Sequence, residues 1–194
     1  MRWRDIYTII YRALHTMNKY YLIIGLLMIS SKLIAEELTY DIYDHEESAI
    51  QVTFDYERNT GFFSKYDVIH PLETCSEKEI YLCFTSIFWN FAIPKNFRTK
   101  KIEEWTYRGH KYNLAKSNKE IFVFGRKMIV DVITNKIKFD DGYSGVQYYY
   151  FSHYYGLVSF GFKRSKEDFG SSYFLQEACG FGASSGCSKL NSKM

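Results

Sequence analysis

Apolar and polar residues alternate along much of the chain, and the alternation is clearest in residues 50–56. The apolar positions there are Ile50, Val52, Phe54 and Tyr56. The three residues between them are polar, so one face of the segment is apolar and the other is polar. A period of two residues is typical of a β-strand that buries one face.

Turn signals separate a series of further apolar and aromatic segments. The predicted strands cover residues 62–69, 102–107, 111–114, 120–124, 128–134 (with an extension to 139), 146–151, 156–162 and 172–177. The predicted turns lie at residues 58–61, 108–110, 125–127 and 140–142. Short strands that recur about every ten residues leave little room for helices. The sequence therefore predicts a mostly β fold, an antiparallel meander that forms a curved sheet, a sandwich or an open barrel.

The sixteen residues after Cys75 fit either a helix or a strand. Ser76 and Glu79 form a capping-box pattern, which favours a helix, whereas the abundance of aromatic and β-branched residues favours a strand. A helix would hold Cys75 and Cys83 roughly 12 Å apart, but a disulfide requires Cα atoms within about 7 Å. If these two cysteines pair, the segment must be a hairpin that turns through residues 77–79.

The chain begins with a segment that is typical of a signal peptide. The apolar run Tyr20–Ser30 has the length of an h-region and is shorter than the roughly 20 residues that a membrane-spanning helix needs. Ala35 supplies the small residue expected before a cleavage site. A leader that starts at Met17 would be more ordinary, so Met17 is a candidate true start. We predict a signal peptide over residues 1–35, with an uncleaved anchor as the alternative, and one β-rich exported domain over residues 36–194.

Four cysteines outside the leader support export, because an even number of cysteines in an exported chain indicates disulfides. They are Cys75, Cys83, Cys179 and Cys187, and each neighbouring pair is separated by eight residues. This spacing favours two local bridges, although the sequence leaves all three pairings open. A zinc site is less consistent with it, since zinc ligands usually come in closer pairs. We expect the bacterial periplasm or the cell exterior.

The distribution of charge argues against a nucleic-acid partner. The formal charge of the whole chain is +3, but residues 1–35 hold five basic residues and one acidic residue. The remaining 20 basic and 21 acidic residues nearly cancel, whereas a nucleic-acid-binding domain is usually strongly basic. We expect no nucleic-acid partner, and contact with a membrane only through an uncleaved leader.

The sequence carries little that points to catalysis. Residues 182–186 match the G-x-S-x-G pattern of hydrolases, but the acid and the histidine that complete a triad do not follow. We interpret the segment as a small loop closed by Cys179 and Cys187. His70 and His110 are interpreted as solvated loop residues, and the histidines lack the spacing of a metal site. We predict no catalytic residue, no metal ion and no cofactor.

Two groups of residues are candidate binding surfaces. The first is a basic connector with Lys95, Arg98, Lys100 and Lys101. The second is a tyrosine-rich run with Tyr148, Tyr150, Tyr154 and Tyr155. Tyrosine is enriched at protein interfaces because it combines apolar area with a polar group. The plainer alternatives are a solvated connector and aromatic packing within an ordinary sheet.

These observations favour a non-enzymatic binding module whose partner is another protein, in the manner of an inhibitor or an immunity protein. A loop closed by a disulfide is preorganised, which lowers the cost of ordering it on binding. A carrier of a small apolar ligand inside a β-barrel is the first alternative. A cell-envelope hydrolase is the second, and it would need His70, His110 or His153 beside a carboxylate.

Overall fold

The computed structural model describes residues 37–42, 50–76, 78–138, 144–163 and 171–187. The strands are β1 (Glu37–Ile42), β2 (Gln51–Asp55), β3 (Thr60–Phe63), β4 (Val68–Pro71), β5 (Glu73–Thr74), β6 (Tyr81–Thr85), β7 (Asn90–Pro94), β8 (Glu104–Tyr107), β9 (His110–Val123), β10 (Arg126–Lys138), β11 (Ser144–Ser152), β12 (Gly156–Lys163) and β13 (Ser171–Leu175). The predicted mostly β, antiparallel fold is confirmed. The predicted signal peptide, the candidate start at Met17 and the turn at 140–142 lie outside the described residues.

Ten of these strands form one large antiparallel sheet in the order β4-β3-β2-β1-β13-β12-β11-β10-β9-β8. The other three form a small sheet in the order β5-β6-β7, which the chain builds between the two edge strands β4 and β8. Because β4 and β8 do not pair with each other, the large sheet stays open and is not a closed barrel.

Aromatic side chains join the small sheet to one face of the large sheet. The ring of Trp89, just before β7, lies 4.8 Å from Phe160 and 5.3 Å from Tyr173. Phe91 on β7 lies 5.1 Å from Tyr149 on β11. All five residues are buried. Each such aromatic pair contributes about 0.5–1.5 kcal/mol beyond the burial of its apolar area.

The alternation in residues 50–56 produces the predicted strand. On β2, Val52 and Phe54 are buried, while Gln51 is exposed. The buried rings then reach across the space between the sheets, where Phe54 lies 4.9 Å from Phe84 of β6.

The predicted single strand over residues 62–69 is wrong, because the chain reverses direction in the middle of it. The strand β3 ends at Phe63, a 3-10 turn covers Ser64–Tyr66, and β4 pairs back on β3. Asp67 closes the turn in the left-handed region, with φ of 51°. The hydroxyl of Ser64 also accepts a hydrogen bond of 2.7 Å from the backbone N–H of Gln51, which ties the turn to β2.

The predicted strands 111–114 and 120–124 are parts of one long strand, β9. The turn that follows it consists of Phe124 and Gly125, with φ of 47° and 76°, and not of residues 125–127. Two-residue hairpin turns of this kind require positive φ at both central residues, which matches the twist of the flanking strands. The predicted hairpin is therefore present, with its turn one residue earlier.

Both local disulfides are present, with Cα separations of 5.2 Å for Cys75–Cys83 and 5.9 Å for Cys179–Cys187. The first bridge closes a hairpin, as predicted, and the described part of residues 76–91 contains no helix. The capping-box residues instead stabilise the turn: the N–H of Ser76 donates to Glu79 Oε1, and the N–H of Glu79 donates to the carbonyl of Ser76.

The second disulfide loop is fixed against the turn between β11 and β12. The N–H of Gly180 donates to the carbonyl of Tyr155 at 2.7 Å, and the N–H of Leu157 donates to the carbonyl of Phe181 at 2.9 Å. Gly156 has φ of 76°, and a Cβ placed there would lie 2.5 Å from both the Gly180 and Phe181 carbonyl oxygens. Only glycine therefore allows this close approach of the two backbones.

The partly buried carboxyl group of Glu177, just after β13, should make the stability of the protein depend on pH. Burial raises the pKa of its carboxyl group, although Oε1 accepts a 3.0 Å hydrogen bond from the N–H of Thr39. A raised pKa means that the folded state binds the proton more tightly, so the ionised form is less stable at neutral pH. We expect Glu177→Gln, which keeps the acceptor, to raise the melting temperature at pH 7.

The same experiment at low pH separates this effect from a general loss of charge. As the pH falls through the pKa of Glu177, the carboxyl group of the wild type becomes neutral. The difference in melting temperature between the wild type and Glu177→Gln should then disappear. Glu57→Gln, at an exposed site, serves as the control for the lost charge. If the difference in melting temperature stays constant from pH 7 to pH 4, burial of the Glu177 charge is not its cause.

Candidate functional site

The hairpin of β9 and β10 is longer than the strands on either side of it. Strand β8 pairs only with residues 110–113 of β9, and β11 pairs only with residues 131–138 of β10. Among the described residues, Lys119–Val130 therefore pair only within the hairpin. We call this two-stranded segment the arm.

The two faces of the arm differ. On one face Val123, Met128 and Val130 are buried in a small apolar cluster with Val158. On the other face Phe122 is 67% exposed and Ile129 is 44% exposed, and Phe124 in the turn is 51% exposed. Large apolar side chains gathered on an exposed face mark an interaction site more often than scattered ones do.

The backbone of β9 offers hydrogen-bonding groups along the outer edge of the arm. In an antiparallel pair, residues that exchange hydrogen bonds alternate with residues whose N–H and C=O point away from the partner strand. Val123 and Arg126 close the turn as a hydrogen-bonded pair, so Glu120 and Phe122 direct their backbone groups outward. In the described part of the chain no strand lies on this side of them.

A bulge marks the inner end of this edge. Ser117 and Asn118 together stand opposite Asp131, and Asn118 has φ of 52°. Asp131 is 1% exposed, and both oxygens of its carboxylate accept hydrogen bonds. Oδ1 accepts one of 3.0 Å from the N–H of Asn118, and Oδ2 accepts one of 2.7 Å from Nε of Arg98. The Arg98 guanidinium also donates to the side-chain oxygen of Asn118 at 3.3 Å.

A cleft of about 350 Å³ opens beside the bulge. It lies next to the N-terminal end of β8, where the N–H of Leu114 donates to the carbonyl of Glu103. Its lining consists of Phe97, Arg98, Lys101, Ile102, Glu103, Leu114, Ser117, Asn118 and Asp131. The cleft therefore continues the open edge of β9 toward the connector that carries the basic residues.

Positive charge is concentrated around the arm and the cleft. The basic residues of this region are Lys95, Arg98, Lys100, Lys101, Lys116, Lys119, Arg126 and Lys127, and the acidic ones are Glu103, Glu120 and Asp131. The rest of the described chain holds eight basic and nine acidic residues. The domain predicted over residues 36–194 is therefore nearly neutral in total charge, yet the region around the arm and the cleft is basic.

No family model, curated protein or solved structure matches this chain. Among the described residues, no helix has the length and apolar character needed to cross a bilayer.

The basic connector predicted from the sequence lies at this site. Arg98 and Lys101 line the cleft, and Lys95 and Lys100 are exposed on the same turn. Phe97, between them, is buried and anchors the turn. No pattern in the sequence indicates the buried partner of Arg98 or the exposure of Phe122 in the adjacent hairpin.

The four candidate tyrosines are divided between two places. Tyr148 and Tyr150 are half-buried on one face of β11, where Tyr148 hydrogen-bonds Ser172 at 2.7 Å. The ammonium group of Lys119 lies 4.9 Å from the ring centre of Tyr150, which links that face to the arm. Tyr154 is exposed and Tyr155 is half-buried in the next turn. Both Tyr150 and Tyr155 pack against the apolar cluster that the arm forms with Val158.

The interpretation of His70 as a solvated loop residue is wrong. His70 is buried on β4, with its ring 5.7 Å from Phe88 and directly over Gly61, which has no side chain to exclude it. His110 begins β9 and His153 is exposed in a turn. Within the described ranges, no group of three histidines, cysteines or carboxylates is placed to hold a metal ion.

The serine of the G-x-S-x-G segment has a structural contact. The hydroxyl of Ser184 donates to the carbonyl of Tyr154 at 3.2 Å, and its N–H donates to the same carbonyl at 3.0 Å. These bonds hold the disulfide loop on the turn between β11 and β12. The segment is therefore accounted for as a loop anchor.

Proposed function

We propose that this protein is a non-enzymatic binding module that recognises an acidic protein partner through the arm and the adjacent basic cleft. The observation that carries the proposal is the exposed apolar face of the arm, with Phe122 and Ile129, inside the basic region of the domain. Interfaces combine an apolar centre with charged residues at the rim, and the charges steer the encounter and select the partner.

We further propose that the protein acts in the periplasm or outside a bacterial cell, in the manner of an inhibitor or an immunity protein. The two disulfides are compatible with an oxidising compartment. A role as carrier of a small apolar ligand is disfavoured, because Trp89, Phe160 and Tyr173 fill the space between the sheets. The hydrolase hypothesis finds no support among the contacts that His70, His110 and His153 make within the described ranges.

Selection from a random twelve-residue peptide library displayed on phage tests the proposal. We expect the wild-type protein to enrich peptides that combine acidic and apolar residues. A variant with Lys116→Glu, Lys119→Glu and Arg126→Glu should bind those peptides at least about tenfold more weakly, since like charges across an interface are strongly unfavourable. Binding is measured by fluorescence anisotropy with synthetic versions of the enriched peptides.

The matched control carries the same change of charge away from the arm, as Lys136→Glu, Lys138→Glu and Lys163→Glu. All three lysines are exposed, so the control should fold and bind as the wild type does. Enrichment of basic or uncharged peptides, or an equal loss of affinity in both variants, would contradict the proposal. So would tighter binding of duplex DNA than of any selected peptide.

A further inference from the structure

We infer that the partner binds as an extended segment that pairs with the open edge of β9 and adds a strand to the large sheet. This inference rests on the proposed function and specifies its mode of binding. The outward backbone groups of Glu120 and Phe122 supply two N–H donors and two carbonyl acceptors at the spacing of a β-ladder. Strand addition uses such main-chain groups for affinity and neighbouring side chains for specificity.

The side chains along the edge define the chemistry of the added strand. Phe122 lies on the exposed face of the arm, whereas Lys119 lies on the opposite face, over the ring of Tyr150. Because successive residues of a strand point to opposite faces, an added strand would match this edge with apolar and acidic residues in alternation. We therefore expect the partner segment to be an acidic, amphipathic strand and not a helix.

The cleft limits where the added strand ends. The edge from Val123 back to Ser117 spans seven residues, or about 23 Å of extended chain. At its inner end the partner meets Lys101, which is exposed and forms no ion pair among the described residues. A carboxylate of the partner, from a side chain or from a chain terminus, fits beside this ammonium group.

A second copy of the chain is a poorer occupant of this edge. Pairing two arms would bring together two surfaces that each hold eight basic and three acidic residues. Lysines on edge strands and bulges beside them are devices that prevent such pairing of identical sheets. Lys116, Lys119 and the bulge at Asn118 thus disfavour self-association while they leave the edge open to an acidic segment.

The test is a proline substitution at the edge, measured with the acidic peptides selected on the wild-type protein. Proline is tolerated on an edge strand where the N–H faces solvent, so Glu120→Pro should fold but remove one outward donor. We expect it to weaken peptide binding at least about tenfold. The matched control is Ile69→Pro on β4, the opposite edge of the same sheet, where Ile69 is 72% exposed and Pro71 already lacks an N–H. This control should bind as the wild type does.

Amide hydrogen exchange on the wild-type protein supplies a second measurement that does not depend on the variant folding. Bound peptide should slow exchange at Glu120 and Phe122. If selected peptides bind but neither protect these amides nor lose affinity for Glu120→Pro, strand addition is wrong while the proposed function stands. If no acidic peptide is enriched, the proposed function itself fails. A concentration-dependent dimer that Glu120→Pro abolishes would assign the edge to a second copy.

Discussion

Trp89→Ala is expected to lower the free energy of unfolding by about 4 kcal/mol, because it removes a large buried aromatic side chain. Trp89 is buried between the sheets, where its ring contacts Phe160 and Tyr173 from β12 and β13. Its removal leaves a cavity where the small sheet meets the large one. Urea denaturation, followed by far-UV circular dichroism, measures the loss.

Trp89→Phe separates the contribution of the ring from that of the indole N–H. The Nε1 group of Trp89 is buried and has no hydrogen-bond partner among the described residues, so replacing it breaks no hydrogen bond. We expect a loss of only about 1.5 kcal/mol, from the smaller volume of phenylalanine. Equal losses for the two variants would show that packing of the ring does not hold the sheets together.

The second large effect is expected at the bulge. Arg98→Ala should lower the free energy of unfolding by about 3 kcal/mol, because it leaves the carboxylate of Asp131 buried without its cationic partner. The Arg98 side chain is 35% exposed but that of Asp131 is 1% exposed, so the loss comes from a carboxylate that stays desolvated and exceeds that of a fully exposed pair. Thermal and urea unfolding both report this loss.

Rescue by a second substitution identifies the cause. In the Arg98→Ala background, Asp131→Asn removes the buried charge and should recover about half of the lost stability. If Asp131→Asn destabilises the protein further, the ion pair is not what Arg98 contributes. This structural role of Arg98 is also why the binding experiments reverse the charge of Lys116, Lys119 and Arg126 and leave Arg98 unchanged.

The local pattern of apolar and polar residues predicted much of the fold. The alternation in residues 50–56 was sufficient to predict β2. Disulfide geometry predicted the hairpin between Cys75 and Cys83 on the condition that these two cysteines pair, which they do. The length of β9 was missed because four consecutive polar residues, 116–119, look like a break in a strand. A bulge with a left-handed Asn118 carries the strand through them, and the buried carboxylate of Asp131 opposite accepts a hydrogen bond from its N–H.

The candidate site depended on contacts that no local pattern contains. The basic connector is visible in the sequence, but Arg98 and its partner Asp131 are 33 residues apart. Residues 121–124 are all apolar, which is typical of a strand covered on both faces. The structure instead covers one face only, since the arm extends past β8 and β11 and leaves Phe122 exposed.

The position of β13 has a consequence for the order in which the chain completes its fold. Strand β13 pairs with β1 on one side and β12 on the other, so it joins the block β4-β3-β2-β1 to the block β12-β11-β10-β9-β8. It also follows every other strand of the described residues. In a chain that emerges from its N-terminus, from a ribosome or through a translocation channel, the two blocks cannot be joined until residues 171–175 are free. The large sheet is thus completed only when β13 has emerged.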